Sequence, residues 1–324
     1  MIEYLINSRR SIVFSDTHCH LMHVSERGEN LRALIASLAA DRYRFVLDIG
    51  TKPGDFRPRA ETVASASEGV RSLSDGVPDF IHFSAGLWPD GEVIAERAEA
   101  LKILEDDVKA MLEFARRRAG KGAAAYAALG ECGLDRHWNG PAAAARIEAS
   151  RASSPIAVSS SDDGPGTADL AGEEELFGLQ LEMAHRYGLP VIVHSRDAFD
   201  GTLGCIKNSG YDCGVIHCFS YGMDEARAFL DRGWYLSFPG NITWPKKPDD
   251  RERVRALIRY VPRDRLLLET DSPYLAPAPH RGKTNTPYLV RHVYARAAEC
   301  LDVTESALAE IVFANARDLF SLAT

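Results

Sequence analysis

The sequence has little that would mark a membrane protein or a disulfide-rich secreted protein. Its six cysteines form no C-x-x-C pair and no dense framework, which is typical of reduced thiols in the cytoplasm. No stretch approaches the ~18 consecutive apolar residues of a membrane span. Arg9 and Arg10 are not followed by the apolar core of an export signal. We therefore expect a cytoplasmic protein that makes no membrane contact.

The sequence also lacks a net positive charge and the common nucleotide-binding motifs. The formal net charge of −8 argues against a protein that coats nucleic acid with a broad basic surface. A nucleic-acid enzyme remains compatible with this charge, because bound metal ions would supply local positive charge. The sequence contains no Walker loop, no dinucleotide fingerprint and no G-x-S-x-G elbow. No obligate protein partner is indicated.

The sequence does contain an alternation of short apolar segments with longer stretches of helical period, which is typical of repeated β-α units and a parallel sheet. Strands are predicted at residues 12–15, 45–49, 80–86, 126–130, 190–194, 214–217, 234–237 and 265–269. Helices are predicted at residues 30–40, 59–72, 91–118, 173–187, 223–232, 249–260, 287–301 and 305–320.

Eight such units predict an α/β fold of the TIM (β/α)8 barrel type, with a doubly wound open sheet as the alternative. Barrels of about 250 residues commonly form one domain, so residues 1–324 are predicted to be a single domain. Residues 150–172 are rich in Ser, Gly and Asp and are predicted to be a flexible insertion. A surface loop is favoured there over a functional lid.

Six histidine and acidic side chains lie at or just past the ends of five predicted strands. They are His18, His20, Glu131, His194, His217 and Asp271. In a barrel the carboxyl ends of the strands converge on one rim, where active sites lie. Imidazole and carboxylate groups bind Zn²⁺, Mn²⁺ or Mg²⁺, and six ligands exceed the three that one catalytic zinc keeps. The set therefore indicates a site for two divalent ions.

The stretch SDTHCHLMH contains four residues that could approach such a site. On a strand, Asp16, His18 and His20 share one face while Cys19 points to the other. We expect His23 to lie beyond the strand and outside the metal coordination. Asp16 is assigned a supporting role behind the ligands. Cys132 and Cys218 adjoin proposed ligands, and their parity is expected to turn them away from the metals.

Five segments in this order closely resemble the TatD family of metal-dependent deoxyribonucleases, which are TIM barrels of the amidohydrolase-like superfamily. The segments are SDTHCHL, ALGECGLD, PVIVHSRDA, GVIHCFS and LLLETDSPYLAP, the last followed by PHRGKTN. The resemblance implies that His18, His20 and Asp271 bind one metal, and that His194 and His217 bind the other. It further implies that Glu131 bridges the two metals.

The resemblance also implies hydrolysis of phosphodiester bonds in DNA, often as a 3′ to 5′ exonuclease, and therefore single-stranded DNA or 3′ ends as substrate. Metal-activated water would attack, with Asp271 orienting or deprotonating it and Glu131 bridging the ions. Substrate contacts are predicted from Arg196, His280, Arg281 and Lys283. Their simpler role is surface solvation.

One departure from the family pattern concerns substrate binding. Many relatives carry Gly-x-His-Pro after the third strand, whereas this sequence reads GLWPD and places Trp88 at the histidine position. The tryptophan offers either a face for base stacking or simple packing.

Two alternatives to a deoxyribonuclease stay open. The first is a binuclear hydrolase of another ester or amide, such as D-aminoacyl-tRNA or a small phosphoester, because a fold does not fix its substrate. The second is a non-catalytic binding module on the same barrel.

Overall fold

The computed structural model describes residues 12–72, 75–119, 125–140 and 169–322. Eight parallel strands pair in chain order around one sheet, which confirms the barrel and rules out the doubly wound alternative. The strands are β1 (Ser15–Cys19), β2 (Phe45–Asp48), β3 (Ile81–Ala85), β4 (Ala127–Asp135), β5 (Val191–Arg196), β6 (Gly214–Ile216), β7 (Tyr235–Phe238) and β8 (Leu266–Leu268).

Helices follow the strands and surround the sheet. They are α1 (Leu21–Glu26), α2 (Leu31–Ala40), α3 (Phe56–Ala66), α4 (Gly91–Ala95), α5 (Arg97–Ala119), α6 (Arg136–Asn139), α7 (Leu170–Tyr187), α8 (Phe199–Ser209), α9 (Met223–Leu230), α10 (Pro248–Tyr260), α11 (Val290–Leu301) and α12 (Glu305–Phe320). Short 3₁₀ turns lie at Gly240–Thr243, Arg263–Arg265 and Pro287–Leu289. No helix in the described ranges is both long and apolar enough to cross a bilayer.

Local sequence signals set several helix ends. The Asn30 side chain accepts a hydrogen bond from the Ala33 amide at the start of α2, and the Thr304 hydroxyl does the same for Ala307 at the start of α12. These caps satisfy amide groups that have no partner within the helix. Helix α7 ends at Tyr187 and is capped by Gly188, whose φ of 64° is left-handed, a conformation that glycine adopts without steric cost.

The ring closes between β1 and the segment that follows β8. The Thr17 hydroxyl donates to the carbonyl of Leu268 at 3.1 Å. Farther along, the Asp271 amide donates to the His18 carbonyl at 2.9 Å and the His20 amide to the Ser272 carbonyl at 2.8 Å. The first and last strands therefore meet at the level of the predicted metal ligands.

Several predicted boundaries differ from the structure. The predicted strand 12–15 ends where β1 begins, and the predicted strand 126–130 stops short of the end of β4 at Asp135. The predicted helix 91–118 is interrupted at Glu96 and forms α4 and α5. Within the predicted insertion, residues 150–168 lie outside the described residues, whereas residues 169–172 are ordered as the cap and first turn of α7.

Candidate metal centre

The carboxylate of Glu131 lies at the centre of the candidate site, between two pairs of histidines. Its Oε2 atom is 3.2 Å from His18 Nε2 and 3.6 Å from His20 Nε2. Its Oε1 atom is 3.0 Å from His194 Nδ1 and 2.9 Å from His217 Nε2. Each carboxylate oxygen therefore faces its own pair of imidazole nitrogens.

Asp271 completes the group on the side of His18 and His20. Its Oδ1 atom is 3.6 Å from the Nε2 atom of each histidine. The residue adopts a left-handed backbone with φ of 53°, which is uncommon for a residue with a side chain and clusters at functional sites. Its side chain is 14% exposed, whereas that of Glu131 is 5% exposed. Asp271 is thus the more accessible carboxylate.

Close backbone packing on β4 brings Glu131 into place. A Cβ atom on Gly86 would lie 2.3 Å from the carbonyl carbon of Gly130, and one on Gly130 would lie 2.6 Å from the Ile192 side chain. Only glycine tolerates such contacts, and Gly130 also has a φ of +145°. The Glu131 amide donates to the Gly50 carbonyl at 2.7 Å. Neighbouring strands therefore fix the backbone that carries the central carboxylate.

Two buried carboxylates contact the outer faces of His194 and His217. Asp135 Oδ2 lies 2.9 Å from His194 Nε2. Glu269 Oε1 lies 3.6 Å from His217 Nδ1 and accepts the Cys218 amide at 2.7 Å. A hydrogen-bonded carboxylate such as Asp135 orients a ligand imidazole and raises its basicity, whereas Glu269 acts on His217 only through its charge at this longer distance. Neither carboxylate was predicted from the sequence, although each lies an even number of residues from a proposed ligand on its own segment.

Asp16 lies where β1 meets the segment that follows β8. It accepts hydrogen bonds from the amide and the hydroxyl of Thr270, at 2.9 and 2.6 Å, and from the His18 amide at 3.3 Å. Burial raises the pKa of Asp16 to about 8, although these hydrogen bonds oppose the rise. Asp16 therefore supports the backbone next to Asp271.

The charges of the site are strongly coupled. Burial favours the neutral form of Glu131, but His217, His18 and His194 more than offset it and hold its pKa well below the usual value. Burial likewise opposes a charged His194, yet its bonds to Asp135 and Glu131 raise its pKa to about 9. Burial also opposes a charged His217, but the negative charge of Glu131 outweighs it and raises the pKa of His217.

The donor set suits divalent metal ions. His18, His20 and Glu131 form one group whose ligand atoms lie within 4.8 Å of one another, and Glu131, His194 and His217 form another. Ligands at the 2.0–2.1 Å bond length of zinc would stand about 3.3 Å apart in a tetrahedral arrangement, close to the separations given above. His18, His217 and Glu269 make a third such group. The nitrogen and oxygen donors fit Zn²⁺ or Mn²⁺, and the carboxylates also fit Mg²⁺.

A cavity of about 390 Å³ opens over this cluster. Trp88 and Arg196, both predicted as substrate contacts, line it, and the Trp88 ring lies 5.7 Å from that of His194. Lys52 and Tyr274 also line it and were not predicted. They lie on segments between elements, where the strand-end pattern gives no signal.

The loop after β8 does not bring its predicted substrate contacts into this cavity. The Arg281 guanidinium lies 4.5 Å over the Trp244 ring, and the His280 ring packs 5.0 Å from His292. Lys283 is exposed and is likewise absent from the cavity lining among the described residues. Packing of Arg281 on Trp244 and of His280 on His292, both outside this loop, therefore turns these two groups away from the cavity.

His23 and the cysteines next to proposed ligands were expected to lie away from the metals. His23 lies beyond β1, in α1, where it stacks on His20 at 5.1 Å and lines the cavity; its place outside the metal coordination stays a prediction. Cys19 and Cys132 are fully buried, with their thiols against the carbonyls of Leu47 and Ile192. Cys218 differs, because it lines the cavity. Its left-handed φ of 48° breaks the strand alternation on which the prediction rested.

Comparison with known sequences identifies the family. Residues 15–321 match the family described as TatD related DNase. The chain belongs to this family. It is 31% identical over 312 residues to the uncharacterized metal-dependent hydrolase YcfH of Escherichia coli K12, with 95% of each chain covered. It is 28% identical over 309 residues to the uncharacterized metal-dependent hydrolase YabD of Bacillus subtilis, covering 95% of this chain and 98% of the relative.

Solved structures of TatD-family proteins share the fold. The crystal structure of YJJV, a TatD homologue from Escherichia coli K12, superposes with a TM-score of 0.63 at 24% identity and covers 97% of this chain and 100% of that one. A TatD-family hydrolase from Entamoeba histolytica gives a TM-score of 0.68 at 15% identity, covering 95% and 98%. The barrel is therefore that of the family.

Proposed function

We propose that this TatD-family protein is a cytoplasmic, divalent-metal-dependent hydrolase that cleaves phosphodiester bonds of DNA, acting on single strands or 3′ ends. The observation that carries the proposal is the position of Glu131, whose two oxygens each face a separate pair of histidines. A relative from Edwardsiella piscicida, 29% identical over 262 residues and covering 78% of this chain and 82% of its own, is named a 3′-5′ ssDNA/RNA exonuclease. That name supports a nucleic-acid substrate.

We propose that two ions, Mg²⁺, Mn²⁺ or Zn²⁺, bind here. His18, His20 and Asp271 would hold one, His194 and His217 the other, with Glu131 between them. Such ions, when bound, lower the pKa of water and stabilise charge on the attacking and leaving oxygens.

The remaining roles fall to residues that face the cavity. Asp271, the more exposed carboxylate, is positioned to orient the attacking water and accept its proton. Arg196 would bind a phosphate oxygen, and Trp88 would stack against a base. Asp16 acts through Thr270 to hold the backbone of Asp271.

The test compares the wild type with Glu131→Ala and Asp271→Ala. Metal content is measured by elemental analysis, and turnover by digestion of end-labelled single-stranded DNA in the presence of each ion. Both variants are expected to lose metal-dependent cleavage while keeping the wild-type circular dichroism. Near-normal turnover in either folded variant would contradict the assignment. The position of the label shows from which end digestion proceeds.

A second candidate function is hydrolysis of another ester or amide, in particular a small phosphoester. The observation that favours it is the charge of the cavity, in which Lys52 and Arg196 are the sole lysine and arginine among the described lining residues. Two cations provide few phosphate contacts along a DNA strand. A panel of single-stranded DNA, aryl phosphodiesters, amides and charged tRNA distinguishes the two candidates by relative kcat/KM.

A further inference from the structure

Arg59, on helix α3 outside the barrel, is buried behind the candidate metal centre. Its side chain is 3% exposed, and it is absent from the cavity lining. A Cβ atom on Gly50 would lie 2.7 Å from Arg59 Nη2, so the guanidinium passes directly over that glycine. Buried arginine is rare unless it is paired. The position therefore calls for an explanation beyond surface charge.

The guanidinium forms hydrogen bonds with β2, with β3 and with the residue that precedes α3. Its Nη1 donates to the side chain of Asp48 at 2.8 Å and to the Asp48 carbonyl at 3.0 Å. Its Nη2 donates to the Ser84 carbonyl at 2.6 Å, and its Nε to Asp55 at 3.1 Å. The rigid fork of arginine can satisfy several acceptors at fixed angles, whereas a lysine ammonium cannot. Arg59 thus fixes the ends of β2 and β3 relative to each other.

One route from Arg59 leads to His20. The second carboxylate oxygen of Asp48 accepts the amide of Leu21, the residue after His20, at 2.7 Å. His20 Nδ1 lies 3.4 Å from the Ile49 carbonyl, next in sequence to Asp48. The orientation of the His20 ring therefore depends on the end of β2 that Arg59 holds.

The other route leads to Glu131. The Ser84 hydroxyl donates to the Gly130 carbonyl at 2.5 Å and accepts the Gly50 amide at 3.1 Å. The Gly50 carbonyl in turn accepts the Glu131 amide. Ser84 and Gly50 thus hold the peptide group on the N-terminal side of Glu131, and Arg59 holds the carbonyl of Ser84.

We propose that Arg59 is a positioning residue for the metal centre, acting through Asp48 on His20 and through Ser84 on Glu131. The proposal rests on the proposed metal site. A displacement of well under an ångström at either donor alters ion binding, because ligand distances must stay close to the bond length of the metal. Loss of such supporting contacts typically lowers metal affinity about 10- to 100-fold.

The test is calorimetric titration of metal-free protein with Zn²⁺ and with Mn²⁺, paired with thermal unfolding. Arg59→Met is expected to bind the ions about 10- to 100-fold more weakly than the wild type, and Arg59→Lys to fall between them. The matched control is Arg118→Met. Arg118 is 2% exposed, donates to the Pro78 carbonyl before β3, and packs near His82 at the other end of the barrel. This control is expected to lower the melting temperature without changing metal affinity.

Two further variants test the Asp48 contacts and the Ser84 contacts separately. They also keep the test decisive if Arg59→Met does not fold. Ser84→Ala removes the contacts behind Glu131 and is expected to weaken both binding events. Asp48→Asn acts on the His20 side and is expected to weaken one event more than the other. If folded Arg59→Met binds the ions as tightly as the wild type, or if both Ser84→Ala and Asp48→Asn do, the role of Arg59 is overturned while the proposed function stands. A wild type that binds no divalent ion overturns the proposed function and this inference together.

Discussion

The contact between Asp135 and His194 gives a sharp prediction for Asp135→Asn. The wild-type carboxylate faces His194 Nε2 at 2.9 Å and accepts the Trp138 amide with its other oxygen, also at 2.9 Å. This arrangement favours a proton on Nε2, so that the Nδ1 lone pair becomes available when a metal ion binds beside Glu131. Asparagine has the same shape, so the Trp138 contact and the fold are expected to survive. Its amide donor, turned toward Nε2, would instead favour the tautomer with a proton on Nδ1.

The size of the effect follows from the bond that is lost. Hydrogen bonds to charged groups contribute about 1.5–3 kcal/mol, and each 1.4 kcal/mol is a factor of about ten in affinity. We therefore expect the Kd of the ion that His194 and His217 are proposed to hold to rise about 10- to 150-fold. The ion proposed to bind His18 and His20 should be affected less, since Asp135 contacts neither histidine.

The assay is metal titration of Asp135→Asn and of a matched variant, Asp107→Asn. Asp107 is also a buried aspartate that accepts a backbone amide, that of Gly54 at 2.7 Å, and it contacts no proposed ligand. Asp107→Asn should bind both ions like the wild type. If folded Asp135→Asn bound both ions within twofold of the wild type, Asp135 would not set the tautomer of His194.

Three further predictions concern other parts of the molecule. Trp88→Ala should raise the KM for single-stranded DNA about 5- to 150-fold, the equivalent of about 1–3 kcal/mol for one stacked base, whereas Trp88→Phe and the metal affinity of both variants should stay near wild type. Divalent ion at 100 times its Kd should raise the free energy of unfolding by about 2.7 kcal/mol for each ion bound, an increase that Glu131→Ala should lack in thermal or urea unfolding. Burial and the nearby Arg118 hold the pKa of His82 well below its ordinary value, so below about pH 6.5 the unfolded chain binds a proton that the folded chain does not. Between pH 7 and 5 His82 should therefore cost about 2 kcal/mol of stability, and metal-free His82→Gln should show a correspondingly weaker acid destabilisation in urea unfolding.

The pattern of apolar segments predicted the order of strands and helices but misplaced the strands that carry chemistry. The apolar run at residues 12–15 ends where β1 begins, because β1 itself is Ser-Asp-Thr-His-Cys. Its polar side chains are stabilised by partners on other strands, such as Thr270 for Asp16 and Leu268 for Thr17. A hydrophobicity pattern cannot register such pairing. For the same reason β4 continues five residues beyond its predicted end at residue 130, to Asp135.

The positions of His18, His20, Glu131, His194, His217 and Asp271 were predictable as a cluster because parallel strands converge on one rim. Arg59 was not, because its contacts depend on which segments meet in space. Trp88 and Arg196 reach the cavity, whereas Arg281 packs on Trp244. Loop packing of this kind depends on contacts that are distant in the sequence.

The closure of the barrel beside Asp271 bears on how the protein is made. During translation the chain emerges from its amino terminus, so His18 and His20 leave the ribosome long before the segment after β8. The hydrogen bonds that join His18 to Asp271 and His20 to Ser272 cannot form until that segment is available. A partly synthesised chain therefore lacks one carboxylate of the proposed centre. The centre can be complete only after β8 and the segment that follows it have been synthesised and have joined the barrel.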